Sequence, residues 1–143
     1  MNVGDDGFVV DASVSLAWLF EDETTTFAEA ALDRLSGAVG WVPALWTLEC
    51  VNVLLVAQRR GRVDSRTRLV LLERAMALPL SIDREEVSMA RIDSIAARHS
   101  LSAYDAAYLE LSLRRSLPLL TLDARLAKAA RASGVAVETA SSK

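Results

Sequence analysis

The sequence has one cysteine, Cys50, and one histidine, His99, in 143 residues. A lone cysteine excludes an intrachain disulfide and any zinc site built on cysteines. A lone histidine leaves Ser-His or Cys-His catalysis resting on His99, in a predicted loop, and no Gly-x-Ser-x-Gly nucleophile elbow accompanies it. No apolar run reaches about 18 residues without polar breaks, which argues against a membrane span. The longest candidate, Trp41 to Ala57, is interrupted by Pro43, Thr47, Glu49 and Asn52. The first seven residues are acidic and lack the basic start and apolar middle of a signal peptide, so the expectation is a cytoplasmic protein. Positive charge is not in excess: the formal net charge is −3. That excludes a broad electrostatic grip on nucleic acid and leaves room for local basic patches. Internal repeats and low-complexity segments are absent.

What is present is 52% hydrophobic and 24% charged, a globular composition. The length suits one domain spanning 1–143 with a real core. Residues 1–7 and 138–143 read as loose tails. Phe8-Val9-Val10 runs without alternation into Asp11, the pattern of a strand buried on both faces. The spacing then predicts a helix from Val14 to Phe20, with Ser13 or Asp11 as its cap, an acidic loop at Glu21–Glu23, and a helix capped within Thr24–Thr26 and running to about Leu35. A strand over 39–42 leads through Pro43 into a helix from Ala44 to about Arg59, stopped at Gly61. Asp64 or Ser65 caps a helix to about Ala77, and Leu78–Ile82 forms a strand. Asp83 with Glu86 reads as a capping box for a helix to about Arg98, and Ser102 with Asp105 as another for a helix to Arg115. Leu117–Leu120, a helix over 124–132 and a short strand at 135–137 complete the chain. Strands separated by helical crossovers imply an α/β fold: a mostly parallel central sheet of about five strands, with helices on both faces.

Four acids stand out from this pattern. Asp11 and Asp123 each follow a strand, and each has an ordinary account as a turn or cap residue. Asp105 lies in the first turn of its helix, where capping would explain it and where the helix dipole also favours an anion. Glu49 is the only charged residue between Trp41 and Gln58. An ionised carboxylate on a largely buried helix is costly unless something pairs with it. Its i±4 neighbours, Leu45 and Val53, offer nothing, whereas Asn52 at i+3 has an amide to offer. Taken together, all four acids can reach the same edge of a parallel sheet, outside the carboxyl ends of its strands, where ligands bind. Clustered carboxylates repel one another and are tolerable mainly around a divalent cation. Oxygen-only ligands suit Mg²⁺ or Mn²⁺, and such an ion activates water against a phosphoryl centre. Nuclease chemistry follows from that.

Val9-Val10-Asp11-Ala12-Ser13, Pro43 with Glu49-Cys50-Val51-Asn52, Tyr104-Asp105-Ala106-Ala107-Tyr108-Leu109, and Leu120-Thr121-Leu122-Asp123 with Leu126 follow one another in a familiar order. The chain resembles the PIN domains, specifically the VapC-type toxins of bacterial toxin–antitoxin pairs, from residue 8 to about residue 137. Each motif is weak alone; the set is specific. The resemblance implies a PIN-like three-layer α/β/α fold and a Mg²⁺- or Mn²⁺-dependent endoribonuclease. Its RNA substrate would be a tRNA or rRNA, its partner a cognate VapB-type antitoxin, and its own assembly a homodimer. Carried over by position, Asp11, Glu49, Asp105 and Asp123 are the catalytic and metal-binding acids, Ser13 and Thr121 the hydroxyls beside the metal, and Asn52 a supporting amide.

The remaining features are weighed against ordinary structural roles. Arg59, Arg60 and Arg62 end a helix, where cations suit the dipole, and they are also candidates for RNA phosphate contact. Arg114 and Arg115 offer the same choice. Arg125, Lys128 and Arg131 recur every third residue and read as a solvated face, with RNA contact the minor alternative. Trp18, Trp41 and Trp46 occupy packing positions. Two rival readings fail on placement. A haloacid-dehalogenase-like phosphatase needs an acid where Ser13 stands. A receiver-like signalling domain needs a lysine near its last strand, and Lys128 and Lys143 are elsewhere. A catalytically silent PIN-fold binding module is the remaining alternative.

Overall fold

The computed structural model describes residues 7–140, so most of the two expected tails, 1–6 and 141–143, lies outside the described residues. Five strands, β1 (Phe8–Val10), β2 (Gly40–Pro43), β3 (Leu80–Asp83), β4 (Leu119–Leu120) and β5 (Val137–Glu138), form one sheet in the order β3-β2-β1-β4-β5. Every pairing is parallel. Seven α-helices fill the connections among the described residues: α1 (Ala12–Ala17), α2 (Thr26–Arg34), α3 (Trp46–Arg59), α4 (Ser65–Ala77), α5 (Met89–His99), α6 (Ala103–Arg115) and α7 (Ala124–Ala132). Parallel strands need such crossovers, and the crossovers cover both faces of the sheet.

β1 lies in the middle and is buried on both sides. Val9 packs with Tyr108, Leu109 and Leu111 of α6 and Leu126, Ala129 and Ala130 of α7. Phe8 and Val10 point the other way, onto Val14 of α1, Ala31 of α2 and Trp46 and Cys50 of α3. The period-2 alternation of a strand therefore feeds two cores at once. α4 packs on α3 through Leu71 and Ala75 against Leu54 and Ala57. β2 begins at a point of close approach: a Cβ at Gly40 would stand 2.6 Å from Leu35 Cδ2 and 2.9 Å from Leu80 Cδ2. The tryptophans are structural. Trp46 Nε1 donates to Ser15 Oγ (2.9 Å) and Trp18 Nε1 to the Ala28 carbonyl (2.7 Å), joining α1 to α3 and α2.

Several boundaries differ from the sequence reading. α1 begins directly after Asp11 and ends at Ala17, and α3 begins at Trp46. β5 takes in Glu138, so the expected C-terminal tail starts inside the sheet; Arg34 Nη1 holds Glu138 Oε1 at 2.7 Å. The capping box at Asp83 and Glu86 does not form. Ser88 caps α5 instead, accepting from the Arg91 N–H, and Asp83 ends β3. The cause is a competing partner. Arg114 grips Asp83 with both terminal nitrogens (2.7 and 3.1 Å) and reaches Glu110 Oε2 at 2.9 Å, while Arg115 Nη2 adds a bond to Asp83 Oδ1 at 2.9 Å. The Arg115 guanidinium also lies 3.6 Å from the centre of the Trp41 ring. Asp83 and Glu110 are buried.

This ion cluster fixes the C-terminal end of α6 to the edge strand β3. Burial alone would raise the Asp83 pKa, but the Arg114 and Arg115 guanidiniums outweigh it and hold the carboxyl below its usual range. Removing one member of a buried pair strands the others, at a typical cost of about 3–5 kcal/mol. Asp83→Ala is therefore expected to lower urea-unfolding stability by about that much near neutral pH. Because the folded-state pKa is depressed, the Asp83 contribution is complete above the unfolded pKa and fades as pH falls through the folded one. The gap between the two proteins accordingly narrows in acid.

Candidate active site

The chain passes from β1 to β2 and β3 on one side, then returns to β4 on the other. The crevice beyond the carboxyl ends of β1 and β4 is thus the topological switch point, the usual ligand position of an open parallel sheet. Asp11 follows β1 into this crevice and is only 4% exposed. It occupies the N-cap position of α1, yet its carboxylate caps no helical N–H. Instead Asp11 Oδ2 accepts from Ser13 Oγ (2.6 Å) and from Thr121 Oγ1 (2.8 Å). Both hydroxyls are themselves oriented. Ser13 Oγ accepts from the Leu122 N–H (2.9 Å), and Thr121 Oγ1 from the Asp123 N–H (3.0 Å). The end of β1 and the segment after β4 are thereby tied together through one carboxylate oxygen.

The other acids arrive from three helices. Asp123 caps α7, its Oδ1 accepting from the Arg125 and Leu126 N–H groups (2.9 and 3.1 Å), so the capping account is correct as far as that oxygen goes. Asp105 sits in the first turn of α6, whose cap is Ser102. Glu49 lies in the first turn of α3, half-buried, and its Oε1 accepts from the Tyr108 hydroxyl at 2.5 Å. Electrostatics link the four. Burial raises the Asp11 pKa against the pull of its hydrogen bonds. Burial also raises that of Glu49, which the Tyr108 bond opposes and the charges of Asp11 and Asp105 reinforce. Asp105 is raised by burial, then by the charges of Asp11 and Asp123, with Arg125 opposing.

Two supporting roles differ from the sequence reading. Among the described residues no hydrogen bond joins Asn52 to Glu49, and Asn52 is exposed. Tyr108 takes the place expected of the amide. Its signal was available: Tyr108 is at i+3 from Asp105 and so on the same helical face. Its buried hydroxyl is held strongly protonated, by burial and by the neighbouring Glu49 charge, and so remains a donor. Cys50, next to Glu49 in the chain, is buried, and its thiol is pushed up to about 12 by burial and then by the Glu49 charge, so it is no nucleophile.

The expected RNA-contacting arginines are mostly engaged elsewhere. Arg114 and Arg115 are committed to Asp83 and Glu110, and Arg62 to Asp22 and Glu23 at 2.8 and 2.7 Å. Arg59 and Arg60 end α3, about 15 Å along the helix from Glu49 at ~1.5 Å per residue. His99 makes its contact with Ser133 Oγ (3.2 Å), away from the acids.

Oxygen donors at a shielded rim could hold a hard divalent ion through Asp11, Glu49, Asp105 and Asp123. Among the described residues no three acids, histidines or cysteines are already disposed to close on one ion. The set therefore fits a metal in donor chemistry and location, and side-chain rotation has to draw the oxygens inward.

Fold and site together define an α/β protein with a carboxylate centre at its switch point. The PIN domain family model matches residues 8–132, and the chain belongs to the PIN-domain family. Solved structures with the same fold include PAE2754 from Pyrobaculum aerophilum, 21% identical, covering 94% of this chain and 84% of that one with a TM-score of 0.70. FitAcB from Neisseria gonorrhoeae is 21% identical over 91% of this chain and 95% of its own, at 0.65. VapBC2 from Rickettsia felis, bound to a DNA fragment from its promoter, is 9% identical over 93% and 98%, also at 0.65. No curated protein sequence matches the chain.

Because burial raises Asp11, Glu49 and Asp105, with like charge adding at the last two, the folded chain gains stability as they protonate and loses it as pH rises through their folded-state values. Asp105→Asn is expected to melt at a higher temperature than wild type in chelator at neutral pH. Adding Mg²⁺ should raise the wild-type melting temperature and leave the variant nearly unmoved. A thermal melt with and without the ion reads both.

Proposed function

We propose that the chain is a metal-dependent endoribonuclease of the VapC type, the toxin of a toxin–antitoxin pair, acting in the cytoplasm. The observation that carries this reading is Asp11: a nearly buried carboxylate, held by two oriented hydroxyls at the switch point, whose charge reaches Glu49 and Asp105. Membership of the PIN family, whose domains are generally nucleases, supports it. The likeness to the FitAcB and VapBC2 structures supports the toxin reading.

Asp11, Glu49, Asp105 and Asp123 would hold Mg²⁺ or Mn²⁺. Such an ion supplies an acidified water as nucleophile and neutralises charge on the phosphoryl oxygens. The chain does the rest. Ser13 and Thr121 fix one oxygen of Asp11, so only the other is left to turn toward a ligand. Tyr108 orients Glu49. Asp123 spends one oxygen on the α7 cap and keeps the other. Burial makes Asp11, Glu49 and Asp105 better proton acceptors than exposed carboxylates, and like charge adds to this at Glu49 and Asp105.

For the antitoxin, α3, α4 and β3 present an apolar groove of about 250 Å³ lined by Trp46, Val51, Leu72, Met76 and Leu80, with Leu48 72% exposed nearby on α3. It suits an amphipathic helix of the antitoxin, and a second apolar face of this kind would serve a homodimer.

The test is cleavage of total RNA, with the fragments sequenced. Mg²⁺ or Mn²⁺ is expected to support discrete cuts and chelator to abolish them. Asp11→Asn and Asp105→Asn should each lose cleavage by at least about 100-fold, while keeping the circular dichroism spectrum of the folded chain. Either variant cutting at the wild-type rate removes the assignment. Tyr108→Phe should stay folded, lose about 1 kcal/mol of stability for the missing hydrogen bond, and need more metal for half-maximal cleavage.

A further inference from the structure

Arg34, Arg62, Arg91, Arg114 and Arg115 are paired with acids, and among the described cations without such a partner three share one groove. Beside the carboxylate centre, α7 leads away from its Asp123 cap and presents Arg125 and Lys128 at i, i+3 spacing. The C-terminal turn of α5 lies opposite and presents Arg98 and His99. Between them runs a groove of about 490 Å³ lined by Arg98, His99, Ser100, Arg125, Lys128 and Ala132. A second hollow of about 430 Å³ continues it past His99 toward Arg91 and Ser94. Arg98, Arg125 and Lys128 are exposed, and among the described residues none of them makes an ion pair. Arg125 joins the groove to the centre, since its charge acts directly on Asp105. The His99 ring is held to the wall by Ser133, whose hydroxyl donates in turn to the Ala129 carbonyl (2.8 Å).

The substrate in the proposed function is a polyanion approaching four carboxylates on a protein of net charge −3. Something beside the centre has to offset that repulsion. We propose that the α5–α7 groove, through Arg98, Arg125 and Lys128, binds the phosphates of the single RNA strand flanking the cleaved bond. This rests on the ribonuclease reading and adds the path by which the strand leaves the centre. Arg125 stands two residues, about half a turn, beyond Asp123, and Lys128 follows ~4.5 Å further along the helix axis. The three cations thus form a stepped row leading outward from the acids, and the groove between two helices shapes it for an extended strand. Contacts of this kind position a backbone without reading its sequence.

The test uses the full chain. In an Asp105→Asn background, which binds without cutting, the affinity for a fluorescently labelled single-stranded RNA is measured by anisotropy across a range of salt. Each phosphate contact on a single strand contributes about 0.7 to the slope of log affinity against log salt. Arg98→Ala with Lys128→Ala should therefore reduce the slope by about 1.4, so that wild-type contacts lose roughly sevenfold more affinity than the variant between ~50 and ~200 mM salt. Arg59→Ala with Arg60→Ala, at the remote end of α3, should leave the slope unchanged. In the otherwise wild-type chain, Arg98→Ala with Lys128→Ala should cut bis(p-nitrophenyl) phosphate with Mn²⁺ at the parent rate, because that small diester does not enter the groove, and should cut long RNA more slowly. An unchanged slope for the groove variant, or an equal loss from the remote pair, overturns the proposal. Failure of the parent chain to cut either substrate overturns the ribonuclease reading instead, so the two failures are distinct.

Discussion

Like charges gathered at the rim of a low-dielectric sheet are the constraint under which this molecule is built. Asp11 is nearly inaccessible, yet no cation among the described side chains pairs with it. The fold meets the cost with hydroxyl groups. Ser13 and Thr121 donate to one oxygen, and backbone N–H groups from the segment after β4 lock both hydroxyls. These bonds oppose the desolvation of Asp11 without cancelling it. The residual strain is the reverse of the usual arrangement around a buried acid, as the second charged cluster makes plain. Asp83 is equally buried, but two guanidiniums hold it ionised. One cluster contributes rigidity, and the other gathers like charge without a counter-ion, which in the proposed function a divalent cation would supply.

α6 connects the two. Its first turn carries Asp105, its second Tyr108, and its last turn Arg114 and Arg115. The Asp83 cluster anchors one end of the helix to β3, and the Tyr108–Glu49 bond ties the other region to α3. Position at the centre thus depends on ion pairs formed well away from it. The whole middle of the helix, from Ala106 to Ser112, is buried, which leaves it little freedom to shift.

The strand–helix alternation and the parallel sheet could be read from the chain because each has a local signature, and Glu49 could be singled out for the same reason. Phe8-Val9-Val10 has no polar residue to expose, and Glu49 is a single charge in a long apolar stretch. What could not be read was partnership. Nothing near Asp83 in sequence reveals that residues more than thirty positions later will claim it, so its spacing to Glu86 reads as a helix start. For the same reason Arg114 and Arg115 look like free cations, and Asn52 looks like the natural neighbour of Glu49. In each case a side chain distant in sequence outcompeted the local candidate. The bounds of the last two strands differ by one or two residues because β4 and β5 have only two paired residues each.

β1 is the first strand of the chain and sits at the centre of the sheet, flanked by the second strand and the fourth. Ser13 and Asp11 bond each other, and the partners of their side chains beyond that turn are Thr121 and Leu122, more than a hundred residues later. During synthesis on the ribosome the place beside β1 therefore stays open until β4 is made, and the carboxylate centre waits for the segment that follows β4.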